Sequence, residues 1–307
     1  MLFGFLNWKK TLNQSMSNGH CLSDEERERL QNCVLDIYMD VFSACEKHGV
    51  DLFLTGGAAI GALRHQGFIP WDDDIDCGIR RKDYARFIQV LREELGDQYV
   101  VNAPNVSKSA AHRFTKILLP GTKYRELGIK PNNESQMIGI DVFIIENVPN
   151  NKLLRTAKGF ICNMLEFISG QVSLVENRWE ETDRVFGGAL SKTYKIKLVI
   201  GRLFSFRKAS KWFETLDRVA QHGNDKSRYC SIVTGRKHYF GETAPREVYF
   251  PAGYATFCGK RVKVFHDEDA YLKLMYGDYM RVPPEEERER HFLSEIDFGE
   301  YGRRQSQ

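Results

Sequence analysis

Four carboxylates fall within five residues in the run Trp71-Asp72-Asp73-Asp74-Ile75-Asp76-Cys77-Gly78. Like charges at that spacing repel one another unless a cation lies among them. The alternation predicts a strand from Asp73 to Ile79, on which extended backbone puts Asp72, Asp74 and Asp76 on one face and Ile75 and Cys77 on the core side. Hard oxygen ligands gathered this way suit Mg²⁺ (or Mn²⁺), which takes few carboxylates and completes its shell with substrate phosphates. Two plainer readings compete. A solvated acidic turn sits poorly with apolar Phe68, Ile69 and Trp71 leading into the acids and Ile75 interrupting them. A calcium loop with Asp72, Asp74 and Asp76 at positions 1, 3 and 5 needs Gly at position 6 and Glu at 12, where Cys77 and Asp83 stand.

Upstream lies Leu54-Thr55-Gly56-Gly57-Ala58-Ala59-Ile60-Gly61, small residues between a strand and a helix. Backbone amides in such a turn approach a phosphate closely, aided by the helix N-terminus, although a paired Gly alone is most often a tight turn. Downstream, Asp141 stands by itself in the apolar run Gly139-Ile140-Asp141-Val142-Phe143. A lone acid there is costly unless it is hydrogen-bonded, paired or bound to a metal, or lies on an edge strand. Gly-Gly after one strand, Asp-x-Asp on the next and a lone acid on a third resembles the arrangement of the nucleotidyltransferase superfamily. Two-metal phosphoryl transfer uses such carboxylates to hold Mg²⁺ against phosphates while the acceptor oxygen is aligned for in-line attack.

The elements that must position these residues are legible as patterns. Ser23 to His48 reads as an amphipathic helix with a Ser23/Glu26 capping box and a stripe of Leu30, Val34, Ile37 and Val41, ended by Gly49. Val50 to Leu54 reads as a buried strand, Ala58 to Arg64 as a short helix, Asp83 to Leu95 as a helix, and Ile138 to Ile145 as a core strand. From about Asn151 to Gln221 the pattern turns helical; strand-like runs return at Tyr229–Thr234 and Lys260–Phe265, and Asp269–Tyr276 reads as a last helix. The expected fold is α/β (α+β), a nucleotidyltransferase-like mixed sheet flanked by helices. Residues 1–150 would form the core with its N-terminal helix, 151–225 a helical and partly basic insertion, and 226–307 the part that completes the core.

The chain has 307 residues, 42% of them hydrophobic, enough to bury a substantial core. Its 44 basic and 41 acidic residues leave a net charge of +3, which excludes a broadly polycationic nucleic-acid binder but not a local basic patch. The seven cysteines form no CxxC pair and no zinc-ligand spacing, and an odd number argues against a disulfide framework. A reducing cytosol is the simplest reading. The opening Met1 to Lys10 is apolar, too short to span a bilayer, and lacks the basic region and cleavage site of a signal peptide.

Leu54 to Asp83, centred on Gly61-Ala62-Leu63-Arg64-His65-Gln66-Gly67-Phe68-Ile69-Pro70-Trp71-Asp72-Asp73-Asp74-Ile75-Asp76, resembles the LicD family of bacterial phosphocholine transferases and fukutin-type enzymes. Asp141 matches that family's downstream strand acid. Tyr271-Leu272-Lys273, Tyr276-Gly277-Asp278-Tyr279-Met280 and Pro283-Pro284, with His291 beyond, resemble its closing motif. The resemblance implies transfer of a substituted phosphate from a CDP-activated alcohol to a sugar hydroxyl, with release of CMP. The acceptor would be a glycan or a lipid-linked saccharide in lipopolysaccharide, teichoic acid or capsule synthesis. It implies Asp74 and Asp76 as metal ligands, Asp141 as a ligand or the residue that activates the acceptor, and Asp72 as support for the cluster. Gly56 and Gly57 would pack against the diphosphate. Arg64 and His65 would serve the donor or pack on the helix surface; Arg113 and Lys116 would clamp phosphate or lie on a solvated strand face. Phe257-Cys258-Gly259 and Val264-Phe265-His266-Asp267 depart from the family pattern, as does the apolar segment Ile117-Leu118-Leu119-Pro120-Gly121. These departures leave the head group open, and choline would need an aromatic cage.

Leu190 to Phe213 carries seven basic residues and no acid, interleaved with Leu198, Val199, Ile200, Leu203, Phe204, Phe206 and Trp212. Such a segment either binds an anionic membrane surface, placing the protein peripherally on the inner membrane face, or forms a helical lobe with a solvated basic face. Two further readings of the whole chain stay in view: a plain nucleotidyltransferase that transfers NMP, and a catalytically inactive relative that binds glycan or acts as a scaffold.

Overall fold

The computed structural model describes residues 21–131, 135–187, 191–288 and 291–301. The apolar opening of the chain and Leu190 lie outside the described residues. A 24-residue helix, α1 (Asp24–Lys47), begins on the expected capping box. Ser23 Oγ accepts the Glu26 amide at 3.2 Å, and Glu26 Oε2 accepts the Ser23 amide at 2.9 Å. Its stripe of Leu30, Val34, Ile37 and Val41 is buried, as is Tyr38.

The strands β1 (Leu52–Thr55), β2 (Asp76–Arg80), β3 (Val100–Asn102), β4 (Thr115–Leu118), β5 (Lys123–Glu126), β6 (Gly139–Val148), β7 (Tyr229–Ile232), β8 (Ala244–Pro245), β9 (Gly253–Phe257), β10 (Lys260–Val264) and β11 (Leu293–Asp297) alternate with helices. The longer helices after α1 are α2 (Gly56–His65), α3 (Arg81–Glu94), α4 (Lys152–Glu176), α5 (Glu180–Gly187), α6 (Ser191–Phe204), α7 (Ala209–Ala220) and α8 (Glu268–Tyr276). Among the described residues, nine strands form one mixed sheet in the order β3-β4-β6-β2-β1-β10-β9, with β7 and β8 continuing beside β6; β5 and β11 pair separately. The pairs β2/β6 and β1/β10 are parallel and the others antiparallel. The chain is therefore mixed α/β, as its patterning predicts.

One face of the sheet, carrying Leu52, Leu54, Cys77, Ile79 and Val142, is covered by α1 and α3. The other, with Phe53, Ile145 and Phe265, is covered by α2 and α8 through Ala59, Ile60, Tyr271 and Leu272. Burying each such large apolar side chain contributes about 1.5–3 kcal/mol. β6 is long enough to take two partners along one edge, β4 against Gly139–Val142 and β7 against Ile145–Val148. Between β6 and β7 the chain makes α4 to α7, and Val148 and Tyr229 are direct partners across the pair.

The strand expected from Asp73 to Ile79 begins only at Asp76. Residues 72–75 form an irregular segment pinned at both ends: Gln31 Nε2 donates to the Asp72 carbonyl at 2.7 Å, and the Asp141 amide donates to the Ile75 carbonyl at 3.1 Å. Strand alternation therefore does not set the directions of Asp72 and Asp74. Helix α2 starts at Gly56 rather than Ala58 and β6 runs on to Val148. All seven cysteines are free thiols. No helix among the described residues is long and apolar enough to cross a membrane.

Candidate active site

At the carboxyl end of β1 the backbone leaves Thr55 in an extended conformation and turns at Gly56, whose φ of +59° only glycine adopts without strain. A side chain on Gly56 would put its Cβ 2.6 Å from Asp76 Oδ2, and one on Gly57 would meet Asp72 Oδ2 at 2.3 Å. The two glycines thus make room for two carboxylates at the first turn of α2, where the partial positive charge of a helix N-terminus favours anions. They face the acids directly, and a diphosphate would reach them only past Asp72 and Asp76.

Register gathers the rest of the site. Thr55, Asp76, Asp141 and Lys116 are successive partners across β1, β2, β6 and β4, so their side chains share one face of the sheet at one level. Lys116 Nζ lies 2.7 Å from Asp141 Oδ1. Burial opposes the Lys116 charge, but Asp141 outweighs it and raises the ammonium's pKa. Thr55 Oγ1 donates to the Tyr271 hydroxyl at 3.1 Å, which fixes the closing motif under the end of β1.

The electrostatics mark this as a place for cations. Burial pushes Asp74 up to about 6, with His291 opposing and Asp73 and Asp141 adding to the rise. Asp76 is raised well above the usual carboxylate range, first by burial and then by Asp74, Asp141 and Asp72. Buried carboxylates that drive up each other's proton affinity are relieved by a divalent ion, and an all-oxygen donor set matches Mg²⁺.

Asp73, absent from the predicted set, is the buried member of the run. Its Oδ1 lies 2.6 Å from His291 Nδ1, and its Oδ2 accepts from the Tyr124 hydroxyl at 3.1 Å. Asp73, Asp74 and His291 offer ligand atoms within 4.8 Å of one another. Burial resists charging the His291 ring, but Asp73, with Asp74, holds its pKa well above the ordinary value. His291 thus presents Nδ1 to Asp73 beside the acids, as a hydrogen-bond partner or as a ligand atom. A signal for it existed: a histidine just past the closing motif, whose partner no local pattern names. Beside this pair opens a cavity of about 410 Å³, lined by Trp71, Asp73, Arg288 and His291 among others. Arg288 stacks 4.1 Å above the Trp71 ring.

The remaining candidates separate. Arg64 Nη1 donates to the Tyr279 carbonyl at 2.5 Å, and its Nε meets His65 Nε2 at 2.9 Å, so the pair packs α2 against the closing motif. Burial, then Arg64, lowers the His65 pKa. Arg113 lies 3.2 Å from Glu166 of α4 and is not drawn to the acids; of the two basic candidates, the site gathers only Lys116.

The model of the LicD/FKTN/FKRP nucleotidyltransferase domain matches residues 49–156, the stretch that holds the glycine turn and all five acids. The lipopolysaccharide cholinephosphotransferase LicD of Haemophilus influenzae is 29% identical over 274 residues, covering 87% of this chain and 96% of that protein. The human ribitol 5-phosphate transferase FKRP is 41% identical over 56 residues, 18% of this chain and 11% of that one. Among solved structures, terminal uridylyl transferase 4 from Trypanosoma brucei with bound GTP overlaps 62% of this chain and 53% of its own at 13% identity. The TM-score of that overlap is 0.23.

Proposed function

We propose that the chain, whose residues 49–156 match the model of the LicD/FKTN/FKRP nucleotidyltransferase domain, transfers a substituted phosphate from a CDP-activated alcohol to a sugar hydroxyl. The acceptor oxygen attacks the phosphorus distal to the nucleoside, the bond from that phosphorus to the bridging oxygen breaks, and CMP leaves. The hydroxyl proton passes to solvent, or to Asp141 if that residue activates the acceptor instead of binding the metal. The observation that carries this reading is the placement of Asp76 and Asp141 side by side on adjacent parallel strands, with Asp72 lodged on Gly57. The names of the two relatives, a cholinephosphotransferase and a ribitol 5-phosphate transferase, support a phosphate group that carries an alcohol. The first name also supports a lipopolysaccharide or similar glycan as acceptor.

Mg²⁺ (or Mn²⁺) held by Asp72, Asp74, Asp76 and Asp141 would neutralise the diphosphate and favour loss of CMP. The chain's own groups do the rest. Gly56 and Gly57 let the acids sit close, Lys116 supplies fixed positive charge beside Asp141, and the Trp71–Arg288 cavity has room for part of a substrate. We place the reaction in the cytoplasm, where seven free thiols are at home. Transfer of NMP itself is a second reading of the same acids; it would release pyrophosphate or leave a nucleotidylated acceptor. An inactive scaffold has no use for mutually repelling buried carboxylates.

The test is CMP release from CDP-choline, CDP-ribitol and CDP-glycerol, with and without Mg²⁺ and candidate glycan acceptors. Metal-dependent release that disappears in Asp74→Ala/Asp76→Ala is expected, and the donor that works names the head group. No release from any CDP donor would overturn the reading, and pyrophosphate as product would replace it with NMP transfer.

A further inference from the structure

Among the described residues, the helices between β6 and β7 leave a large apolar surface uncovered. One apolar stripe runs the length of α4. Towards its carboxyl end, Ile168 and Val172 lie under α7 with Phe204 and Trp212, and Leu174 and Val175 lie under α6. The same stripe near the amino end is bare: Leu153 is 78% exposed and Phe160 67%, and Ile161 and Met164 are exposed beside them. Helical periodicity puts residues 153, 160, 164, 168, 171 and 175 along one side, so the bare and covered halves face the same way.

Helix α6 lies on the covered half at close range. An added Cβ on Gly201 would meet the Gln171 carbonyl oxygen at 2.3 Å, while Tyr194 and Leu198 point down onto α4. Its opposite side faces away from α4, and that side is apolar too. Ile196, Val199 and Leu203 are at least 60% exposed, and Phe206 follows just past the helix. At the end of α6, Phe204 joins the cluster that contains Ile168 of α4, one turn from exposed Met164. A contiguous apolar surface of this kind marks an interaction site.

Charge selects the occupant. Residues 190–213 hold seven basic residues and no acid, and the amino half of α4 adds exposed Lys152 and half-buried Arg155. Lys192, Lys195, Arg202 and Lys208 are exposed at the margins of the α6 stripe. A second copy would bring two cationic margins together, which disfavours self-pairing through this face. An apolar strip edged by cations fits an anionic lipid surface, where the strip enters the headgroup boundary and the cations meet lipid phosphates.

We infer that the joined outer faces of α4 and α6 dock this protein on an anionic membrane surface. This inference needs nothing from the transferase reading and fails or stands separately from it. It goes beyond the basic segment 190–213 by making the amino half of α4 an equal part of the contact.

The test is co-sedimentation of the full chain with vesicles of phosphatidylcholine alone and of phosphatidylcholine with phosphatidylglycerol. Binding to the second and not the first is expected. It should fall about tenfold or more in both Phe160→Glu/Leu203→Glu and Lys195→Glu/Arg202→Glu, since apolar burial and charge contribute together. The charge-matched control Lys260→Glu/Arg261→Glu, on the distant β9–β10 hairpin, should bind as wild type does. Hydrogen exchange on the unaltered protein gives a reading that needs no variant: vesicles should protect peptides from residues 152–167 and 192–207. No binding to anionic vesicles at low salt, equal loss in the control, or protection elsewhere would overturn the inference. Self-association abolished by Phe160→Glu/Leu203→Glu, without vesicle binding, would assign the face to a second copy instead.

Discussion

Keeping Asp76 charged is expensive: partial burial comes first, and Asp74, Asp141 and Asp72 all push its proton affinity further upward. Asp76→Asn removes that repulsion. In the presence of a chelator the variant should therefore melt above wild type, while its CMP release falls by more than the roughly 100-fold typical of losing an outer-shell partner. Lower melting together with lost activity would mean that the carboxylate is structural. Gly56 and Gly49 offer a matched pair, with φ of +59° and +67°. Alanine at either strains the backbone by about 1–2 kcal/mol, but only at Gly56 does the new Cβ strike a carboxylate, Asp76. Gly49→Ala should lose stability and keep its rate; Gly56→Ala should lose both, as melting curves and initial rates will tell. The acids and glycines were legible because repulsion and small size are properties of the residues themselves. Asp73 was not, because its role depends on Tyr124 and His291, which are 51 and 218 positions away.

Elements make distant residues into neighbours, and the register of β1, β2, β6 and β4 does so for Thr55, Asp76, Asp141 and Lys116. Alternation read from the sequence placed Asp76 correctly on a strand but extended that strand backwards over Asp74. The backbone of 72–75 is instead tied to α1 and β6 by hydrogen bonds that no periodicity encodes. Helix α8 carries a separate titration. Glu268 Oε2 accepts the Phe265 amide at 2.6 Å, and burial pushes this carboxyl up to about 8 despite that bond. A carboxyl raised in the folded state stabilises the fold below its unfolded pKa, near 4.5, and that contribution is lost as pH rises through about 8. Glu268→Gln keeps an acceptor for Phe265 without the charge. Its melting temperature should gain on wild type steadily from pH 5 to 9, and parallel curves would show that the group does not titrate in this range.

At the scale of the whole molecule, the helices α4 to α7 are locked to the sheet by buried polar contacts. Lys158 Nζ donates to the carbonyls of Asn147, Ala220 and His222 at 3.1, 2.7 and 2.7 Å. Arg81 joins Glu146 of β6 to Asp217 of α7. Lys158→Met leaves three carbonyls without their donor and should cost about 2–4 kcal/mol. Hydrogen exchange should quicken in α4 and α7 before it does in β1 and β2, whereas uniform quickening would mean that the helices and sheet unfold as one. The helical character of this region was plain from its periodicity, and so was the return of strands after it. The parallel pairing of β10 with β1 was not, since it joins segments some two hundred residues apart through contacts that only the finished core supplies. That Val148 and Tyr229 face each other across the β6–β7 pair has a consequence for how such a chain can change. The described residues between 149 and 228 leave and rejoin the sheet at neighbouring positions, and they touch it besides through Lys158 of α4 and Asp217 of α7. The length of that excursion can therefore vary without shifting the register of β2 and β6, provided Arg81 keeps a partner in place of Asp217.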